Sequence, residues 1–338
     1  MANGHRRRFG KFRHKVLLCL ISLTLCFAVL EVMFRLTEPP DLIDYAVNSA
    51  RWDDDGNGLL HVRSSNRELV YELRPNSSVF ERGFNQQITT NAAGFRDREF
   101  EHVKPPGVYR VIVVGDSIAF GWELTTEQLF AKLLEQRFSA DGHPEFQAYN
   151  MAVDGYNSRQ EVELIRSRVL DYEPDLLLIA YCLNDNIYGA DEGSWRHFRK
   201  TWSRTYDWLS LYGMRLKQRL SVKDLTTEAF EDLAAIVGPR KLPVLIVVFP
   251  ALGENQDGSY PFVSEHRQLA RLADRLGFMI LDLREKFQQE GFLRLRVQPN
   301  DFVHPNALGH KLASDAVYEF LNHPPASSAA AEWKGLPF

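Results

Sequence analysis

The feature that most constrains the fold of this 338-residue chain is an alternation of short apolar runs with amphipathic segments, which begins after Pro105-Pro106-Gly107. Tyr109 to Val114 is an almost uninterrupted β-branched run, typical of a parallel strand buried on both faces. An apolar face with helical spacing follows from Thr125, and Thr125 and Gln128 have the spacing of a capping box. Strand, loop and helix in this order predict an α/β fold.

The same alternation repeats along the rest of the chain. It predicts four further strands, at 146–153, 175–181, 242–249 and 278–283. Helices are predicted between them: Ser158 and Glu161 are spaced to cap one, and two others cover 227–237 and 264–276. The whole pattern predicts a three-layer α/β/α sandwich around a five-stranded parallel sheet, within a domain at 108–322.

A separate signal occupies the N-terminus, where basic residues crowd positions 1–15 directly before an apolar run at 16–34 that Glu31 breaks late. The run has about the length of a bilayer span of ~20 residues. A cleaved signal peptide is the alternative, but positions 35–40 offer no small-residue cleavage site. We therefore predict a single-pass transmembrane anchor at 16–36, with a cytoplasmic N-terminus and an exported (periplasmic or extracellular) remainder.

Composition excludes few other classes. The chain has 45% hydrophobic and 25% charged residues and a formal net charge of -4, so it resembles an ordinary globular protein and argues against nucleic-acid binding. Only Cys182 lies outside the apolar N-terminal run, so no internal disulfide is expected there. A buried, unreactive thiol is the favoured interpretation of Cys182.

Three flanking segments are less informative. The polar stretch at 41–107 is predicted to be an irregular extension. Within it Asp53, Asp55 and Asn57 match the opening of a calcium loop, but Ser64 stands at the twelfth position, which favours a solvated acidic turn over a metal site.

The insertion at 187–222 is longer than a crossover needs and is predicted to be a helical hairpin that packs on the core or lies against the membrane surface, with a lid or acyl-binding flap as the alternative. The tail at 323–338 is rich in alanine and serine and is predicted to be disordered.

Polar residues at the predicted strand ends point to one site, because functional groups of parallel sheets gather just past the carboxyl ends of the strands. These residues are Asp116 and Ser117, Asp154 and Gly155, Asn184 and Asp185, and, in a late loop, Asp301 and His304. The sequence therefore predicts that separated segments converge on one crevice.

At these residues the chain resembles the SGNH or GDSL hydrolase family over roughly 109–321. The resemblance rests on Gly115-Asp116-Ser117, Asn150-Met151-Ala152-Val153-Asp154-Gly155, Leu183-Asn184-Asp185 and Asp301-Phe302-Val303-His304-Pro305. It implies the flavodoxin-like sandwich of that family and a membrane-anchored serine esterase. The chain departs from the family at Cys182, where members often have glycine.

The chemistry can also be argued from the residues. A serine hydroxyl is a poor nucleophile until a base removes its proton, and His304 is the candidate base for Ser117. Asp301 could accept the other ring N–H and fix the tautomer. The resemblance implies an oxyanion hole made by the backbone N–H groups of Ser117 and Gly155 and the side-chain amide of Asn184. No metal or cofactor is indicated for this chemistry.

We expect an ester hydrolase that forms an acyl-enzyme on Ser117 and acts on a small-molecule or polysaccharide ester. The alternatives are an O-acyltransferase or deacetylase of a cell-envelope polysaccharide, and a non-catalytic envelope protein that binds carbohydrate. Two further residues carry expectations: Arg96 is predicted to form a structural salt bridge, with a substrate carboxylate or sugar as its alternative partner, and His310 is predicted to be structural.

Overall fold

The computed structural model describes residues 3–37, 60–81, 86–183, 203, 205–206, 225–255, 257–325, 333 and 335–338. The chain divides into two compact units. One consists of Met1–Arg51 and Asp191–Val222, and the other of Trp52–Ala190 and Lys223–Phe338.

The second unit is built on the five-stranded parallel sheet that the sequence predicts. Its strands are β5 (Tyr109–Gly115), β6 (Phe146–Asn150), β7 (Leu176–Cys182), β8 (Val244–Phe249) and β9 (Met279–Asp282). They lie in the order β6-β5-β7-β8-β9, and every neighbouring pair is parallel. All residues of β5, β7 and β8 are buried, as their apolar composition requires of central strands. This is the flavodoxin-like order, whose topological switch point lies beside β5.

Helices cover both faces of this sheet. They are α2 (Ser117–Phe120), α3 (Phe130–Ala140), α4 (Ser158–Ser167), α5 (Leu225–Val237), α6 (Val263–Leu276), α7 (Arg284–Glu290), α8 (Phe292–Leu295) and α9 (Ala307–Asn322). Helix α3 packs against α9, whereas α4 packs against α5 and α5 against α6. Right-handed crossovers place these two groups on opposite faces, which completes the α/β/α sandwich.

Two predicted helix starts differ in detail. The N-cap of α4 is Asn157 and not Ser158: its side-chain oxygen accepts the N–H groups of Arg159 and Gln160, and Glu161 is buried inside the helix. Gln128 does accept the N–H of Thr125, as a capping box requires, but the box precedes a single turn, and α3 begins only at Phe130. Adjacent cap-forming residues compete, and the one with extended backbone takes the role.

The described part of the extension before the sheet, 60–81 and 86–107, is more regular than the sequence predicted. It contains two antiparallel pairs of strands, β1 (His61–Arg63) with β2 (Tyr71–Leu73) and β3 (Ser78–Glu81) with β4 (Gln86–Thr89). Burial alternates along β2, where Tyr71 and Leu73 point into the core. The candidate calcium residues Asp53, Asp55 and Asn57 lie outside the described residues.

The C-terminal tail, which the sequence predicts to be disordered, is described at 323–325, 333 and 335–338. Trp333 and Leu336 pack against the core, and the ring of Phe338 stacks on His143 with centroids 4.2 Å apart.

In the first unit the structure describes the long helix α1 (Asn3–Thr37). Its segment His14–Leu36 has 23 residues and a mean hydropathy of 2.6, which fits either a membrane anchor or a signal sequence. Near its end, Glu31 pairs with Arg35 at 2.8 Å and accepts hydrogen bonds from the Ser203 hydroxyl and the Thr205 N–H. Most of the 187–222 insertion lies outside the described residues.

Candidate active site

Ser117 is placed by a sharp transition from strand β5 to the short helix α2. Asp116 caps that helix by accepting the N–H of Ile118 at 2.9 Å, so that Ser117 stands at the helix start. Gly115 is required here because a Cβ atom would lie 2.9 Å from the Ala119 Cβ and 3.0 Å from the Ala180 carbonyl oxygen. The turn therefore brings Ser117 to the carboxyl end of the sheet, beside the switch point.

His304 reaches Ser117 from the loop before α9. Its Nε2 lies 2.9 Å from the Ser117 Oγ, and its Nδ1 lies 2.7 Å from Asp301 Oδ2. A carboxylate can only accept, so the Nδ1 carries the hydrogen and Nε2 is left to accept the serine proton. The structure thus joins three of the predicted site residues in one hydrogen-bonded chain.

The loop that carries His304 is held by its own carboxylate. Asp301 Oδ1 accepts the N–H groups of Val303 at 2.8 Å and His304 at 2.9 Å, and the N–H of Leu252 donates to the Phe302 carbonyl at 2.6 Å. Burial raises the pKa of Asp301, but the hydrogen bonds from His304 outweigh burial and hold that pKa below its ordinary value. The carboxylate is therefore ionised at neutral pH and can balance a charged imidazole.

Gly155 lies in a tight turn at the end of the segment after β6. The N–H of Tyr156 donates to the Val153 carbonyl at 3.2 Å, and Gly155 has a φ of +76°, the value typical of the third position of a type II turn. Among the described residues, the Gly155 N–H donates to no protein acceptor. Asn184, the other predicted donor outside the serine, lies beyond the described residues.

Arg96 does not form the predicted salt bridge within the described part of the chain. Its guanidinium is buried and donates to the carbonyls of Phe120 at 2.9 Å and Gly121 at 2.7 Å, and also to that of Leu124. Burial lowers the pKa of Arg96 to about 10, although the charges of Asp154 and Glu127 act in the opposite direction. The carbonyls at the end of a helix lack internal partners, and Arg96 satisfies them there. It thereby fixes the loop after the serine.

Two other residues of interest are buried. Cys182 is 4% exposed at the end of β7, as expected of a small core residue. His310 accepts the N–H of Phe130 through Nδ1 at 3.1 Å, which supports a structural role.

Sequence reasoning missed three residues beside this site. Trp122 lies against the ring of His304, and His61 and Tyr71 contact Asp154, the neighbour of Gly155. None of them lies in a recognisable motif. The strand-end rule could not find them, since His61 and Tyr71 belong to the extension and Trp122 follows the end of α2.

This strand order, with a serine hydrogen-bonded to a histidine at the switch point of the sheet, fits an ester-hydrolysing enzyme. The chain belongs to the GDSL-like lipase/acylhydrolase family, whose model matches residues 113–312.

The solved structures to which the chain is similar have low sequence identity to it. An acetyl xylan esterase has 18% identity and a TM-score of 0.45, over 62% of this chain and 98% of its own. A catalytic mutant of an acetylxylan esterase from Geobacillus stearothermophilus has 17% identity and a TM-score of 0.46, over 64% and 94%. A lipolytic protein of the G-D-S-L family from Veillonella parvula has 18% identity and a TM-score of 0.41, over 64% and 100%. No curated protein matches the chain.

Proposed function

We propose that this protein hydrolyses carboxylic esters through an acyl-enzyme on Ser117, with His304 as general base and Asp301 as the residue that orients it. The observation that carries the proposal is the 2.9 Å contact between the Ser117 Oγ and His304 Nε2. This distance lies within the range over which a base can remove a proton.

The geometry supports a two-step reaction. In the first step Ser117 Oγ attacks the ester carbonyl while its proton passes to His304 Nε2, and the imidazolium then gives that proton to the departing alcohol. In the second step His304 takes a proton from water while the water oxygen attacks the acyl carbonyl. The imidazolium then returns that proton to the departing Ser117 Oγ, which releases the acid and the free serine. Asp301, 2.7 Å from Nδ1, stabilises the imidazolium in both steps.

Both steps place negative charge on the carbonyl oxygen of the substrate. We assign the stabilising donors to the backbone N–H groups of Ser117 and Gly155 and the side-chain amide of Asn184. Removal of one such donor typically costs about a hundredfold or more in turnover.

Helix α1 supports the further proposal that the protein is anchored in a membrane with its sandwich exported. Its apolar stretch is long enough for a span, and the basic residues lie on its N-terminal side. Cell fractionation and protease treatment of a C-terminally tagged protein test this. An anchored, exported protein stays in the membrane fraction, and protease added on the non-cytoplasmic side of the membrane removes its tag. N-terminal sequencing of the mature chain distinguishes the alternative, because a cleaved signal peptide would leave a chain that begins after the apolar run.

The activity is tested with p-nitrophenyl esters from acetate to octanoate, using the full chain in detergent. We expect hydrolysis by the wild type and loss of at least a thousandfold in Ser117→Ala and His304→Ala. The matched controls are Ser139→Ala and His323→Ala, which change the same residue types at exposed positions.

A fluorophosphonate should label Ser117 in the wild type, and mass spectrometry of the labelled peptide locates the adduct. Labelling without hydrolysis would redirect the proposal to acyl transfer onto a sugar hydroxyl. The absence of both would favour a binding role and contradict the proposal.

A further inference from the structure

The extension that precedes the family domain forms hydrogen bonds with the turn that contains Gly155. The hydroxyl of Tyr71 donates to the carbonyl oxygen of Asp154 at 2.8 Å, and His61 Nε2 lies 2.7 Å from Asp154 Oδ1. The rings of His61 and Tyr71 meet edge to face, with centroids 5.3 Å apart. Tyr71 and His61 precede Asp154 by 83 and 93 positions in the sequence.

The hydroxyl of Tyr71 contacts a peptide group that can adopt either of two opposite orientations. The Asp154–Gly155 peptide is the central one of the turn, and turns of types I and II differ by a flip of this peptide. Glycine at the third position permits both, because it adopts positive and negative φ with equal ease. The sequence of the turn alone therefore does not decide which way the Gly155 N–H points.

The Asp154 carbonyl and the Gly155 N–H belong to the same planar trans peptide, so they point in opposite directions. A hydrogen bond that fixes the carbonyl on the side of Tyr71 fixes the N–H on the opposite side. It also polarises the peptide, which strengthens the N–H as a donor.

We propose that Tyr71, supported by His61, is a positioning residue that holds the Asp154–Gly155 peptide in the orientation whose N–H serves the oxyanion. This inference rests on the proposed function, and it places part of the active-site support outside the matched family domain, which begins at 113.

The space around Gly155 also shows how closely Tyr71 approaches the turn. A Cβ atom at position 155 would lie 2.7 Å from the Tyr71 hydroxyl oxygen, so the close approach of Tyr71 itself requires glycine there. Gly155 is thus constrained by its positive φ and by the residue that holds it.

The chain around Tyr71 is built to keep it in place. Val70 has a φ of +76°, an unfavourable value for a β-branched residue, and it persists only where the surroundings hold it. The Leu69 carbonyl accepts the N–H of Tyr71 at 2.8 Å and the side-chain amide of Gln160 at 2.9 Å. Strain beside Tyr71 is therefore tolerated by contacts with α4, the helix that follows the turn.

The test compares Tyr71→Phe with the wild type in the ester assay. The substitution keeps the ring and removes only the hydroxyl, so we expect kcat to fall about tenfold with KM changed less than twofold, because the lost interaction acts on the transition state. The inactivation rate by a fluorophosphonate, whose phosphoryl oxygen occupies the oxyanion position, should fall by a similar factor.

Tyr156→Phe is the matched control. Its hydroxyl donates to the Tyr71 carbonyl and joins the same interface, but it does not touch the Asp154 carbonyl. We expect a lower melting temperature in this variant without the tenfold loss of kcat.

If Tyr71→Phe shows no cooperative unfolding transition, and therefore is not properly folded, His61→Ala replaces it in the test. We expect the kcat of His61→Ala to fall about two- to fivefold. Unchanged kcat and inactivation rate in folded variants of a wild type that hydrolyses esters through Ser117 would overturn the inference alone. A wild type without Ser117-dependent hydrolysis would instead overturn the proposed function.

Discussion

The imidazole ring of His304 lies flat against the indole of Trp122, with ring centroids 4.7 Å apart and planes inclined by 18°. His304 is thus held at Nδ1 by Asp301, at Nε2 by Ser117 and on one face by Trp122. The face of an indole carries negative charge density, so it attracts the imidazolium more than the neutral ring. Trp122 therefore favours the charged state through which the proposed reaction passes.

Replacement of Trp122 by leucine should lower kcat about tenfold, which corresponds to ~1.4 kcal/mol and lies within the range of cation–π stabilisation. Trp122→Phe retains an aromatic face and should lose less. Steady-state kinetics on one p-nitrophenyl ester measure both. Equal losses in the two variants would show that the electrostatic role is wrong and that Trp122 only fills space.

Asp301→Asn should reduce kcat about a thousandfold or more while leaving the fold intact. The asparagine amide can present N–H to Nδ1, which favours the tautomer with hydrogen on Nε2, and such a ring cannot accept the Ser117 proton. Circular dichroism and thermal unfolding provide the folding control. A kcat within tenfold of the wild type would remove Asp301 from the mechanism.

The candidate site was predictable where local sequence and topology act together. Ser117 follows a run that is typical of a buried strand, and all strands of a parallel sheet end at the same edge. The Asp301-to-His304 spacing places both partners in one loop, where Asp301 also bonds the backbone that carries the ring. Such short-range constraints depend on a few adjacent residues, so they can be recognised in the sequence.

The contacts that escaped prediction depend on long-range packing. Tyr71 and His61 have no periodicity or motif that relates them to Asp154, because their role arises only when the extension folds onto the turn. The cap of α4 shows a finer limit: Asn157 and Ser158 both have the chemistry of a cap, and only the backbone conformation selects Asn157. Arg96 was assigned an acidic partner by its charge, but burial beside helix-end carbonyls decides its contacts.

Glu161 is fully buried in α4, and neither of its oxygens has a hydrogen-bond partner among the residues that the structure describes. Burial, with the nearby Asp116 charge, raises the pKa of Glu161 well above its ordinary value. The folded state therefore keeps this proton to a higher pH than the unfolded chain, and the free energy of unfolding should fall as pH rises above ~4.5 toward the folded-state pKa.

Glu161→Gln removes that titration, so its stability relative to the wild type should increase from pH 5 to pH 8. Urea unfolding at both pH values measures the difference, and the exposed Glu101→Gln is the control. A constant difference between the two pH values would contradict a protonated Glu161.

His310 should produce the opposite slope at acid pH. Burial, with the nearby Arg96 and His304 charges, lowers the pKa of His310 to about 3, so the folded state binds its proton only at lower pH than the unfolded chain. Below ~6.5 the unfolded state binds more protons, and the free energy of unfolding should decrease as pH falls toward 3, by up to ~1.4 kcal/mol per unit from this group.

His310→Asn tests this contribution, because the asparagine oxygen can take the place of Nδ1 as acceptor for the Phe130 N–H. We expect the variant to be less stable than the wild type at pH 7, since it leaves a cavity, and to lose less stability between pH 6 and pH 4. The exposed His323→Asn should follow the wild-type profile. Parallel profiles of stability against pH for His310→Asn and the wild type would show that the pKa of His310 is not lowered in the folded protein, which would contradict the prediction.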